Sequence, residues 1–185
     1  MKKTDPSSGT RATPATVKVW DGVVRIFHWS TVTLFTLAYL VERPRDLHRG
    51  LGYALMAILA VRVVWGFVGS RHARFADFVP GPKRLFAYLG DLARARETRH
   101  LGHNPAGGAM ILALMLTLAG IGLSGWMMGL DAYWGESWVE TLHEGLVSFA
   151  LTLIVLHVSG VVFSSLHHHE NLVRSMITGL KRMDD

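Results

Sequence analysis

The sequence predicts an all-α, membrane-integral protein: a four-helix bundle with both termini in the cytoplasm and a cytoplasmic amphipathic helix between the second and third spans. Three observations predict it. Half of the 185 residues are hydrophobic and only 18% are charged, against about one-quarter in a typical soluble domain. The charge is also segregated, because windows 23–41, 50–69, 106–130 and 145–166 contain only two charged side chains, Arg25 and Arg62. A soluble amphipathic helix interleaves polar residues every turn, whereas about 20 apolar residues in succession match the hydrocarbon thickness of a bilayer. Finally, Lys and Arg number 14 in segments 1–22, 70–105 and 167–185 but 3 in segments 42–49 and 131–144. That alternation is the positive-inside rule, and it fixes the orientation.

Residues 1–16 are rich in Ser, Thr, Pro and charge and are expected to be a disordered tail ahead of one transmembrane domain, 17–182. No small-residue cleavage site follows the first apolar window, which argues against a removable signal peptide. The first helix is expected at about 23–41, halted by Glu42-Arg43-Pro44 because proline disfavours helix in the residue before it. The second is expected at 47–69, with Arg62 about two turns from its cytoplasmic end and expected to snorkel to the headgroups rather than to meet the carboxylate of a bound cofactor. Between 82 and 97 the apolar Leu85, Phe86, Leu89 and Leu92 recur at helical spacing opposite Lys83, Arg84, Arg94 and Arg96, the pattern of a basic helix lying on an anionic leaflet. Asn104 as N-cap and Pro105 at the first helical position open a third helix, 105–130. Its Gly107, Gly108, Gly120, Gly122 and Gly125 admit a close neighbour, either a helix or a flat ligand. The fourth helix is expected at 141–166, followed by a polar tail.

Composition excludes several classes. The chain has no cysteine, so it is no disulfide scaffold, no iron–sulfur protein and no covalently attached c-type cytochrome. Its net charge of +5 is spread over loops rather than clustered on a folded polar domain, so nucleic acid is not an expected partner. The outer loop carries Asp131, Glu136, Glu140 and Glu144 without a base; it is either a landing surface for a basic partner or a topology signal.

Ten histidines in so apolar a chain need partners, since an imidazole in lipid is costly without one. His143 and His157 are 14 residues apart, close to four full turns and about 21 Å of rise, so they face the same way at two depths. With the N-terminus inside, His28 lies near the inner end of the first helix and His48 near the outer end of the second. Depth therefore pairs His28 with His157 and His48 with His143. Two imidazoles converging between helices suit the two axial positions of a haem iron, and without cysteine the haems are b-type. Two haem b groups stacked across the membrane, closed to oxygen at both axial positions, imply electron transfer. The competing reading is a haem-free membrane protein, a histidine-based metal carrier or an anchor; one tetrahedral zinc site is excluded because the pairs lie too far apart. His72, His100, His103 and the run His167 to His169 are expected to be solvated interfacial residues. Trp126, Trp134 and Trp138 are expected at the outer interface and Trp20 and Trp65 at the inner one, with Trp29 beside His28 as an anchor or a porphyrin contact.

Phe27-His28-Trp29, His48, the His143/His157 spacing, Gly102-His103-Asn104-Pro105-Ala106-Gly107-Gly108 and the closing Glu170-Asn171-Leu172-Val173-Arg174-Ser175-Met176-Ile177 together resemble the bacterial cytochrome b561 and nickel-iron-hydrogenase b-type cytochrome family. The resemblance spans about residues 17–182. It implies a di-haem cytochrome b of the bacterial inner membrane, with axial ligands at His28, His48, His143 and His157. Such a protein would relay electrons between a quinone or quinol pool and a partner, either a periplasmic c-type cytochrome or a hydrogenase or dehydrogenase subunit. A superoxide-oxidising activity with quinone as acceptor is the enzymatic variant of the same fold. The short loops leave no room for a catalytic domain, so dehydrogenase chemistry is expected to reside in another subunit.

Overall fold

A computed structural model describes residues 15–94, 96 and 100–183; most of the expected tail, 1–14, lies outside them. In chain order the elements are β1 (Thr16–Lys18), α1 (Gly22–Leu40), α2 (Arg45–Val68), α3 (Phe75–Phe78), α4 (Pro82–Ala93), α5 (Pro105–Met127), α6 (Ser137–His167), α7 (Leu172–Thr178) and β2 (Leu180–Arg182). Four of them, α1, α2, α5 and α6, are long and apolar enough to cross a bilayer. They pack as neighbours in the order α1–α2–α5–α6. The shared core is built from Phe35, Leu55, Leu59, Met115, Leu118, Ile121 and Ala150. Ile26, Leu40, Phe67, Leu116, Val155 and Leu166 point outwards, as a bilayer solvent permits and water would not.

Helix ends follow local chemistry. The side chain of Asn104 accepts the amide of Gly107 at 2.7 Å, with Pro105 at the first helical position, so α5 begins where the sequence places it. Asp21 caps α1 by accepting the amide of Val24 at 2.8 Å, a signal the sequence reading missed. The same carboxylate accepts Trp65 Nε1 at 2.9 Å and the Ser70 hydroxyl, so one side chain ties the start of α1 to the end of α2. Burial opposes its charge, but the bonds from Ser70, Val24 and Trp65 outweigh that and hold the carboxyl below its ordinary 3.8. Stability from a depressed carboxyl is complete above its unfolded value and is lost as pH falls through the folded one. Asp21→Ala is expected to cost about 1–2 kcal/mol through the lost cap alone. It should also flatten the acid limb of thermal midpoint against pH in detergent; an unchanged acid limb would remove Asp21 from that role.

Several boundaries move. Helix α6 starts at Ser137 rather than 141 and runs 31 residues, about 46 Å and longer than the hydrocarbon core. Hydropathy marks the part of a helix in lipid, not the part that keeps its backbone hydrogen bonds. Helix α5 stops at Met127, three residues short of expectation. The expected interfacial helix is present as α4, packed on α5, with Tyr88 buried edge-on to His100, ring centres 5.8 Å apart. Phe86 (71% exposed) and Leu89 face away from the bundle.

The tail expected after the fourth helix is folded. Asn171 caps α7 by accepting the amide of Arg174 at 2.7 Å, and Gly179, at φ +83°, ends it. Strand β2 then pairs antiparallel with β1, Thr16 opposite Arg182 and Lys18 opposite Leu180. Thr16, expected in the disordered tail, is therefore in a strand. Three-residue strands held by backbone bonds leave no hydrophobic period to read.

Candidate cofactor-binding site

The four histidines fall into two pairs. His28 on α1 and His157 on α6 have ring centres 6.4 Å apart, and His48 on α2 and His143 on α6 have theirs 6.3 Å apart. Depth along the helices explains the pairing, since α6 supplies one member of each at separate levels. Two imidazoles bound to opposite sides of one metal, each by a bond of about 2 Å, place their ring centres about 6 Å apart. Each pair has that spacing.

Hydrogen bonding sets the tautomers of the second pair. His48 Nδ1 donates to the carbonyl of Ala38 at 2.9 Å. His143 Nδ1 lies 3.1 Å from the carbonyl of Ile121 and 3.0 Å from Ser124 Oγ. A carbonyl only accepts, so both rings carry their proton on Nδ1 and keep the Nε2 lone pair free. Ser124 is fully buried and its hydroxyl donates to the carbonyls of Gly120 and Ile121, leaving a lone pair for the imidazole. No spacing rule singles out such a serine in an apolar helix. In the first pair, His28 Nδ1 is buried without a partner, as is Thr31 Oγ1 one turn on. Trp29 stands edge-on to His28, ring centres 5.0 Å apart, and donates to the carbonyl of Met176 at 3.4 Å.

The glycines of α5 divide by neighbour. A Cβ at Gly125 would lie 3.2 Å from the His143 ring, and one at Gly120 would lie 3.1 Å from Leu146. At Gly122 it would run into Met56, and at Gly108 into the carbonyl oxygen of Phe78. Helix packing thus accounts for three of them, and room for an imidazole accounts for Gly125.

Three expectations are corrected. Arg62 does not snorkel: it is 2% exposed, its guanidinium 5.9, 5.5 and 5.5 Å from the ring centres of Phe27, Phe75 and Phe78. The α3 turn folds back against α2 and sets Phe75 and Phe78 against the guanidinium. His103 is not solvated either. Its ring packs 4.4 Å from Trp20 and 5.2 Å from Phe78, and its Nδ1 is buried without a partner. Burial first, and then the positive charges of Arg62 and Lys181, push its pKa down to about 3, so the ring is neutral at physiological pH. Trp20, expected as an interfacial anchor, is 5% exposed and lies between His103 and the Lys181 ammonium, 5.9 Å from its ring. By contrast Trp126, Trp134 and Trp138 are exposed, His167 and His169 are exposed, and His72 pairs with Asp77 at 3.1 Å. Among the described residues no three His, Asp or Glu side chains converge on a metal-sized site.

Comparison with known proteins places the chain. A curated relative from Bradyrhizobium diazoefficiens, described as a probable Ni/Fe-hydrogenase B-type cytochrome subunit, is 24% identical over 97% of this chain and 92% of its own length. One of the same description from Rhizobium leguminosarum bv. viciae is 24% identical over 91% and 90%. The probable Ni/Fe-hydrogenase 1 B-type cytochrome subunit of Escherichia coli strain K12 is 25% identical over 53% and 54%. No solved structure matches the chain. The family model for prokaryotic cytochrome b561 matches residues 19–179, the stretch that contains all four spans and both histidine pairs, and the chain therefore belongs to that family of multi-pass membrane b-type cytochromes, which carry electrons on haem b.

Proposed function

We propose that the protein holds two haem b groups, one between His28 and His157 and one between His48 and His143, and relays single electrons between a quinone or quinol pool and a redox partner in the bacterial inner membrane. The observation that carries the reading is the spacing of the two imidazole pairs, 6.4 and 6.3 Å between ring centres. His28, His157, His48 and His143 would hold the groups through their ring nitrogens, and haem b so held would supply one-electron transfer.

The chain's own residues do the rest. Ala38, Ile121 and Ser124 hold the His48 and His143 protons on Nδ1, which orients each ring and raises its basicity as a ligand. Helix α6 spans both levels and keeps the pairs about 21 Å apart along its axis. By the positive-inside rule the end bearing β1, β2, α4 and His28 faces the cytoplasm and the α5–α6 loop faces out. Asp131, Glu136, Glu140 and Glu144 are all exposed on that outer surface, and Trp134 is 74% exposed. An acidic surface attracts a basic protein partner and repels an anionic donor, which favours relay over superoxide oxidation. The names of the relatives make a hydrogenase subunit the first partner to try, ahead of a c-type cytochrome.

The test is a pyridine haemochrome assay on purified, detergent-solubilised protein, with reduction by quinol, superoxide and candidate partners followed at the α bands. Two haems b per chain, reduced by quinol or partner, are expected. A folded, colourless protein, as the haem-free carrier reading requires, would end the proposal.

A further inference from the structure

Arg62 presents a problem that the cytochrome reading does not solve. Its guanidinium is almost wholly enclosed, and Nη1 has no hydrogen-bond partner. The faces of Phe27, Phe75 and Phe78 accommodate a cation but are only weak acceptors for its N–H donors. Asp21 is the carboxylate whose field reaches it, yet its oxygens already accept Val24 N, Trp65 Nε1 and the Ser70 hydroxyl. None of the described carboxylates forms an ion pair with Arg62. Nearby is a second orphan, His103 Nδ1, and Phe78 touches both groups, its ring centre 5.5 Å from the Arg62 guanidinium carbon and 5.2 Å from the His103 ring. The field of His157 also reaches His103.

Depth narrows the missing partner. Arg62 lies six residues before the end of α2 and His28 six residues after the start of the antiparallel α1, so both are about 9 Å from the same end of the bundle. Phe27, which touches Arg62, precedes His28 in sequence. An enclosed cation with unused donors, level with one histidine pair, calls for a carboxylate arriving with the group that pair holds. A lipid phosphate would have to reach a guanidinium in a residue only 2% exposed, past the Phe75 and Phe78 rings set 5.5 Å from it.

We propose that Arg62, seconded by the Nδ1–H of His103, receives a propionate carboxylate of the haem held by His28 and His157. This rests on the assignment of a haem to that pair. Arg62 is a positioning residue: it neutralises the carboxylate, anchors one edge of the porphyrin and raises the potential of that haem by placing a cation beside it.

The experiment compares wild type, Arg62→Gln, Arg62→Lys and His103→Gln, each purified with its haems, by resonance Raman of the propionate bending modes and by optical redox titration. The haem in question is identified as the one that His157→Ala loses. Arg62→Gln should shift one propionate band and lower the potential of that haem while leaving the other haem's potential alone. Arg62→Lys should keep most of the potential and still shift the band, and His103→Gln should shift the band with little change in potential. If Arg62→Gln does not accumulate, the Lys and His103 variants decide the matter. Two bound haems with unchanged propionate bands and potentials in the variants would overturn this contact alone. A wild-type protein with no haem on His28 and His157 would overturn the ligand assignment and this contact together. A lipid phosphate as the true occupant would appear as a potential shift without a propionate shift, which also refutes the proposal.

Discussion

Alanine at His48 or at His143 is expected to remove one and the same haem, and alanine at His28 or at His157 the other, so that each variant retains half of the wild-type pyridine haemochrome yield. The pairing follows from ring centres 6.3 and 6.4 Å apart and from α6 contributing to both levels. Each double variant within a pair should equal its singles, because the two residues serve one iron and their effects are not additive. A double variant across pairs should be colourless. The redox titration should collapse from two waves to one in every single variant. If His143→Ala and His28→Ala abolish the same spectral component while the chain remains folded by circular dichroism, the assignment of ligands fails.

The second large effect is steric. A side chain at Gly108 would drive its Cβ into the carbonyl oxygen of Phe78, and backbone cannot step aside as a flexible side chain can. Gly108→Val is expected to cost about 1–3 kcal/mol or more through overpacking and to lift the α3 turn from α5. Because that turn covers Arg62 and packs on His103, the same variant should admit water to both. Gly145→Ala, on α6 with open space around the added carbon, is the control and should be neutral or stabilising by about 0.5–1 kcal/mol. Thermal midpoints in detergent measure the difference. Equal midpoints for the two variants would show that the Phe78 contact does not constrain the fold.

Much of the transmembrane architecture was legible because a bilayer imposes a crude rule. About twenty apolar residues with at most one charge announce a span whatever their order, and the basic loops orient it. The histidine pairs were legible for a similar reason: in a bundle of known direction, position along a helix is depth, and depth leaves few partners. What escaped the reading was set by tertiary contact. Arg62 looked able to snorkel because its distance from the helix end was readable, but the four-residue turn that seals it carries no period. His103 looked like a loop residue, and only the folding of Trp20 and Phe78 onto it makes it interior. Ser124 resembles any small polar residue in an apolar helix until the His143 ring is seen 3.0 Å away. The β1–β2 pairing was invisible because its partners are separated by nearly the whole sequence.

That antiparallel pairing has a practical consequence. Thr16 sits opposite Arg182, so affinity handles or reporters joined directly to either of these two strands crowd one corner of the molecule, next to the Trp20–His103–Lys181 cluster. Handles on the two strands are equivalent in what they obstruct, and a probe of the opposite membrane face has to be inserted in the turn joining α1 to α2 or in the one joining α5 to α6.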